Sequence, residues 1–172
     1  YFYPTLESET RQMKLFLVDN VKIKLKEILE ESFPDANWVK IGVAFVKQSG
    51  FSLIEDKFKT CLENGGKIEF LIGLDFRITD PQVLRRLYEI SMCSKNLMLL
   101  CCRTPLIEEV PTFHPKVYLF LADKARAVIG SSNLTKGGLV ENVEANLLIE
   151  GDEEDAIIKD LKEFFETCLL YT

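Results

Sequence analysis

Along the first hundred residues the spacing of apolar side chains switches repeatedly between the period of a helix and that of a strand, which leaves few folds open. Leu15, Val18, Val21, Leu25, Ile28 and Leu29 recur at helical spacing among lysines and glutamates, predicting an amphipathic helix over residues 10–32. Val39, Ile41, Val43 and Phe45 alternate on one face of a strand expected over residues 38–46. Residues 52–62 read as a second helix, stopped by Asn64-Gly65-Gly66, and residues 67–74 as a strand apolar on both faces. Asp80 as cap and Pro81 in the first turn open a third helix, and residues 96–102 form another short apolar run. An α-β-α-β-α-β order predicts an α/β fold: a mixed, largely parallel sheet flanked by helices on both faces.

Beyond residue 110 the pattern changes. Residues 115–122 and 125–129 are two β runs around Asp123-Lys124, a hairpin signal. A glycine-containing loop leads to a strand expected over 142–149, and a last helix is expected over 152–170, capped by Asp152. With 172 residues and 47% hydrophobic content, the chain reads as a single domain spanning 1–172 with a core that needs neither metal nor disulfide. The opening Tyr1-Phe2-Tyr3-Pro4 and a helix running almost to Thr172 lead us to expect a piece of a longer chain. Five cysteines, odd in number and without C-x-x-C spacing, read as buried free thiols. There is no apolar run of membrane-spanning length, no leader pattern and no lipidation signal, so a cytoplasmic protein without membrane contact is expected. The net charge of −6 opposes stand-alone nucleic-acid binding, and a larger protein would have to supply positive surface.

His114 is the only histidine, and Lys116 follows it at strand spacing, so both side chains share a face. If Asp123-Lys124 is a two-residue turn, Ala122 pairs with Ala125, Lys116 faces Ser131 and His114 faces Asn133. Asn142, Glu144 and Asn146 would line one face of the following strand. An imidazole, an ammonium, a hydroxyl, carboxamides and a carboxylate gathered this way suit phosphoryl transfer through a covalent histidine intermediate. Imidazole attacks, Lys116, Ser131 and Asn133 meet charge on the phosphate oxygens, and Glu144 fixes the imidazole tautomer. One histidine beside a lysine is a poor start for a metal site, so no metal and no cofactor are expected.

The runs His114-Pro115-Lys116-Val117-Tyr118-Leu119-Phe120, Gly130-Ser131-Ser132-Asn133-Leu134-Thr135, Gly138-Leu139 and Asn142-Val143-Glu144 resemble the phospholipase D superfamily. The likeness is to its single-motif nuclease branch: metal-independent restriction endonucleases and domains beside helicases. Gly42 to Gly50, Leu71-Ile72-Gly73 and Thr79-Asp80-Pro81 with Leu84 and Leu87 extend it over most of the chain. The resemblance implies His114 as nucleophile, Lys116 and Asn133 as phosphate ligands and Glu144 as the orienting carboxylate, with Ser131, Ser132, Asn142 and Lys136 toward the substrate. Where the wider family's motif carries an Asp, this chain has Leu121, and Asp123 lies two residues further on.

The expected function is therefore that of a DNA endonuclease, linked in the longer chain to a helicase or DNA-recognition domain. In-line displacement needs a second group to protonate the leaving oxygen, so a chain with one histidine should share its site across a homodimer. The alternatives are an inactive module of the same fold, used for dimerisation or nucleic-acid sensing, and a phospholipase. The latter lacks a basic amphipathic helix or aromatic loop to meet a membrane. Arg77 and Lys136 read equally well as site flanks or surface charge, and Asp80 better as a helix cap than as half of a carboxylate pair with Asp75.

Overall fold

The structure, a computed structural model, describes residues 12–75, 77–102 and 111–169. Strand β1 (Lys14–Val18) precedes helix α1 (Leu25–Ser32), then β2 (Trp38–Val43), α2 (Gln48–Glu63), β3 (Lys67–Gly73), α3 (Pro81–Cys93) and β4 (Leu97–Cys102). The hairpin β5 (Lys116–Leu121) and β6 (Ala125–Gly130) follows, then a wide helical turn over Gly137–Glu141, β7 (Asn146–Gly151) and α4 (Ala156–Leu169). The seven strands form one sheet in the order β1-β7-β6-β5-β2-β3-β4.

Five expectations need correcting, the first that the thiols are buried: Cys93 and Cys101 are exposed. The helix expected over 10–32 is a strand and a shorter helix; its first two residues lie outside the described ones, as do Tyr1 to Pro4 and Leu170 to Thr172. Residues 14–18 pair antiparallel with β7, a long-range contact that overrides a locally helical period. The break between them has a local cause: Asn20 adopts φ +63°, Asp19 Oδ1 accepts the N–H of Val21 and Lys22, and Asn20 Oδ1 accepts that of Leu25.

The sheet is mixed, but it is mostly antiparallel: β2-β3 and β3-β4 are parallel, while β2-β5, β5-β6, β6-β7 and β1-β7 are antiparallel. The α/β alternation governs only the first half; after β4 the hairpin brings the chain back against β2 in the opposite sense.

The hairpin loop holds three residues, since Leu121 pairs with Ala125 and Val117 with Ile129. Lys116 therefore comes level with Gly130, and not with Ser131. A slip of one residue exchanges sheet faces, so the cross-strand pairing expected of His114 and Asn133 does not form. Finally, β7 begins at Asn146; residues 142–145 are a lead-in held by Asn142 N–H on Gly137 O at 2.9 Å and Glu144 N–H on Asp19 O at 3.2 Å.

Helices cover both faces. On one, α1, α2 and α3 bury Leu29, Phe58 and Leu87 against Ile41, Phe70 and Phe120. Phe33 packs edge-on to Phe120 at 5.1 Å between ring centres, and Phe51 to Phe58 at 5.4 Å. On the other, α4 sets Ile158, Leu161 and Phe165 against Val117, Leu119 and Ile149. Beneath α4 the buried Lys40 ammonium pairs with Glu69, its opposite in the β2-β3 register, and sits 4.3 Å from the centre of the Trp38 ring.

Candidate functional site

At the start of β5 the chain is extended, with Ala44 N–H bonded to Pro115 O at 3.0 Å and Lys116 opposite Val43. Pro115 sits just ahead of the ladder, where a missing N–H costs nothing. Strand geometry sends the two flanking side chains the same way. The Lys116 Nζ lies 2.7 Å from His114 Nδ1, 3.1 Å from Nε2 and 3.0 Å from the His114 carbonyl oxygen. An ammonium can only donate, so the ring nitrogen it meets accepts through its lone pair. Partial burial holds the Lys116 ammonium below its ordinary value, and the Glu144 carboxylate opposes that shift.

Opposite, β6 ends at Gly130, where close backbone approach demands glycine: a Cβ would lie 2.4 Å from Ala145 O. The chain turns there, and this turn, rather than a continued ladder, brings Ser131 and Asn133 to the site. His114, Lys116, Ser131 and Asn133 line one open depression at the end of the sheet, floored by Val117 and Ile129 and bounded by Phe164 of α4. Asn133 Oδ1 accepts the Phe45 N–H at 3.2 Å, so its amide NH2 is the end left for the depression.

The remaining expected residues are placed differently. Ser132 is fully buried: its N–H meets Asn146 Oδ1 at 3.1 Å, its hydroxyl accepts from Asn146 Nδ2 at 2.9 Å, and its carbonyl accepts the Tyr118 hydroxyl at 3.0 Å. Glu144 takes the Ser131 hydroxyl on one carboxylate oxygen and Asn142 Nδ2 on the other, the latter at 3.3 Å. Lys136 is exposed and paired with Glu141 at 2.5 Å. Asp80 precedes α3 but makes no cap bond to it; its carboxylate accepts the Gln48 N–H at 2.9 Å and Lys47 Nζ at 3.0 Å, so it serves the start of α2. Those contacts, the Gln48 N–H first, hold its carboxyl below the usual range. Leu121, where an Asp was looked for, is buried in β5.

Asn146 has a part that sequence reasoning left unassigned. Only 2% exposed, it joins Val18 O, Ser132 N–H and Ser132 Oγ, tying β1 to the turn that carries Asn133. An asparagine at a strand start between apolar residues was its only signal. Asn20 acts similarly, giving its amide to Gly138 O at 2.9 Å.

Among the described residues there is no cluster of three or more His, Cys, Asp or Glu able to hold a metal, and no helix long and apolar enough to cross a membrane.

The site and fold have known counterparts. The family described as cardiolipin synthase, PLD-like domain, matches residues 39–169. NucT from Helicobacter pylori superposes with a TM-score of 0.65 at 18% identity, over 93% of this chain and 98% of that one. Nuc from Salmonella typhimurium, a phospholipase D family member, gives 0.65 at 14% identity, over 93% and 94%. Phosphatidylserine synthase from Haemophilus influenzae gives 0.67 at 16% identity, over 92% of this chain but 39% of the other. No curated protein matches the sequence. With its family match running from Val39 in β2 to the end of α4 and its sole histidine set against a lysine at the start of the hairpin, the chain belongs to the phospholipase D superfamily and is an enzyme of that family.

Proposed function

We propose that this domain is a metal-independent DNA endonuclease that works through a phosphohistidine on His114, in a site shared by two copies of the chain. The observation that carries the reading is the Lys116 ammonium seated on the His114 imidazole beside Asn133 in one depression. The imidazole attacks phosphorus, a P–N bond forms, and the P–O bond to the leaving strand breaks while that oxygen takes a proton. Water then attacks the phosphohistidine, gives up a proton and restores the imidazole. Lys116 and the Asn133 NH2 offset charge gathering on the phosphate oxygens, and Glu144 fixes the imidazole tautomer.

The leaving oxygen's proton calls for a second acid, and the partner subunit's His114 is the one proposed. An apolar row on the α4 face supports this. It crosses the strands from Val117 through Ile129 and Leu147 to Leu17, and exposure climbs from 6% at Val117 to 41% at Leu147 and 65% at Leu17. The row starts in the depression at Val117 and Ile129 and runs out to the bare Leu147 and Leu17, where a second copy would bury it and bring its own histidine. The DNA substrate rests on the motif resemblance to the nuclease branch.

The direct test is to denature a reacting sample and digest it. Substrate phosphate should be found on the one histidine-containing peptide, in an acid-labile linkage. Adducts on a serine or cysteine, or turnover with no adduct in a quenched time course, would count against it.

A further inference from the structure

Ser131 lines the depression, and a hydroxyl there invites assignment as a phosphate ligand. Its hydrogen bonds say otherwise. A serine hydroxyl has one proton to give, and that of Ser131 goes to Glu144 while its oxygen accepts the Ala145 N–H at 3.1 Å. The proton is spent before any substrate arrives. The second Glu144 oxygen takes Asn142 Nδ2, and the Glu144 N–H is fixed on Asp19 O. A Cβ on Gly137 would come within 2.9 Å of Asn142 Nδ2, so glycine there is what leaves the Asn142 amide free to reach Glu144.

We propose that Ser131 and Asn142 are positioning residues that clamp the Glu144 carboxylate from both oxygens, and that neither binds the phosphate. The inference deepens the phosphodiesterase reading and rests on it only for the kinetic part of its test. Two neutral donors hold a carboxylate without neutralising it, so the negative charge stays directed at the His114–Lys116 pair. Loss of either donor lets the carboxylate rotate while the rest of the depression stands.

A double-mutant cycle separates the two roles. With Ser131 acting through Glu144, Ser131→Ala lowers kcat by about tenfold to a hundredfold with KM little changed, the usual size for residues that orient a working group. In a Glu144→Gln background the same substitution costs nothing further, and Ser131→Thr, which keeps the hydroxyl, restores most of the rate. Gly137→Ala should imitate a milder Asn142→Ala. Equal losses from Ser131→Ala in both backgrounds, or a rise in KM alone, would mean a direct substrate contact and overturn the proposal.

A second readout needs no turnover. The chain has one histidine, so its imidazole proton resonances need no assignment. They should move in Ser131→Ala and in Glu144→Gln, while the double variant should match Glu144→Gln. That pattern in a protein without phosphodiesterase activity would retain the clamp and sink the proposed function. A further displacement in the double variant would sink the clamp whatever the activity.

Discussion

The Lys116 ammonium stands 2.7 Å from Nδ1 of His114 and bonds the same residue's carbonyl oxygen at 3.0 Å, so the residues proposed as nucleophile and as cation for the phosphate are held together. In the proposed mechanism this pair meets the charge of the phosphate. Cleavage of DNA or of bis-(p-nitrophenyl) phosphate should persist in excess EDTA. Loss on chelation with recovery on adding Mg²⁺ would contradict the assignment of charge stabilisation to Lys116 and Asn133.

His114→Ala should lower turnover by about a thousandfold or more, as loss of a nucleophile does, with an unchanged circular dichroism spectrum. Asn133→Asp is the sharper probe. A carboxylate oxygen can still accept the Phe45 N–H, so the turn survives, but an anion replaces the NH2 that faces the phosphate. We expect a loss of about a hundredfold to a thousandfold, the scale for removing one charge-stabilising donor. Near-native activity in either variant would leave the inactive-module reading.

The alkaline side of the pH–rate profile should report Lys116. Burial lowers its ammonium from the ordinary 10.5 and Glu144 opposes that shift, so activity requiring the charged form is lost as pH rises through a value below 10.5. Removing the opposing charge in Glu144→Gln should move that limb to lower pH. An unmoved or higher limb, measured on kcat/KM, would disconnect Glu144 from Lys116.

Leu147→Glu places a charge in the exposed apolar row without touching the depression. Light scattering should show wild type as a dimer and this variant as a monomer, with activity lost in parallel. Mixed dimers of wild type and His114→Ala should stall after one half-reaction. A Leu147→Glu dimer would move the interface elsewhere, and a fully active wild-type monomer would remove the shared site.

The Lys40–Glu69 pair predicts stability rather than rate. The two side chains are 3% and 10% exposed, so Glu69→Ala strands a buried ammonium and should cost about 3–5 kcal/mol in denaturant unfolding. Lys40→Met with Glu69→Leu should cost far less, because neither charge then has to be desolvated.

Residues 38–43, 67–73 and 81–93 folded as their patterns predict, because each carries a local period, a stop or a helix-starting proline within a few residues. The residues proposed for the site could be picked out from the sequence too: His114 as the one histidine with Lys116 at strand spacing, and Asn133 and Glu144 as polar groups flanked by apolar residues. What one chain of letters could not hold was anything set by distant partners. Residues 14–18 are a strand only because β7 offers them a ladder, and the hairpin register turned on whether Ala122 joined the strand or the loop. The sheet's mostly antiparallel sense was decided by where β5 docked, a contact with β2 from 73 to 83 residues away in the chain that no local preference encodes. The same holds for Ser131 and Ser132, adjacent and alike in sequence. The close approach of Gly130 to Ala145 turns the chain so that one hydroxyl reaches Glu144 at the site and the other is buried on Asn146, a difference that exists only once β6 and β7 have paired.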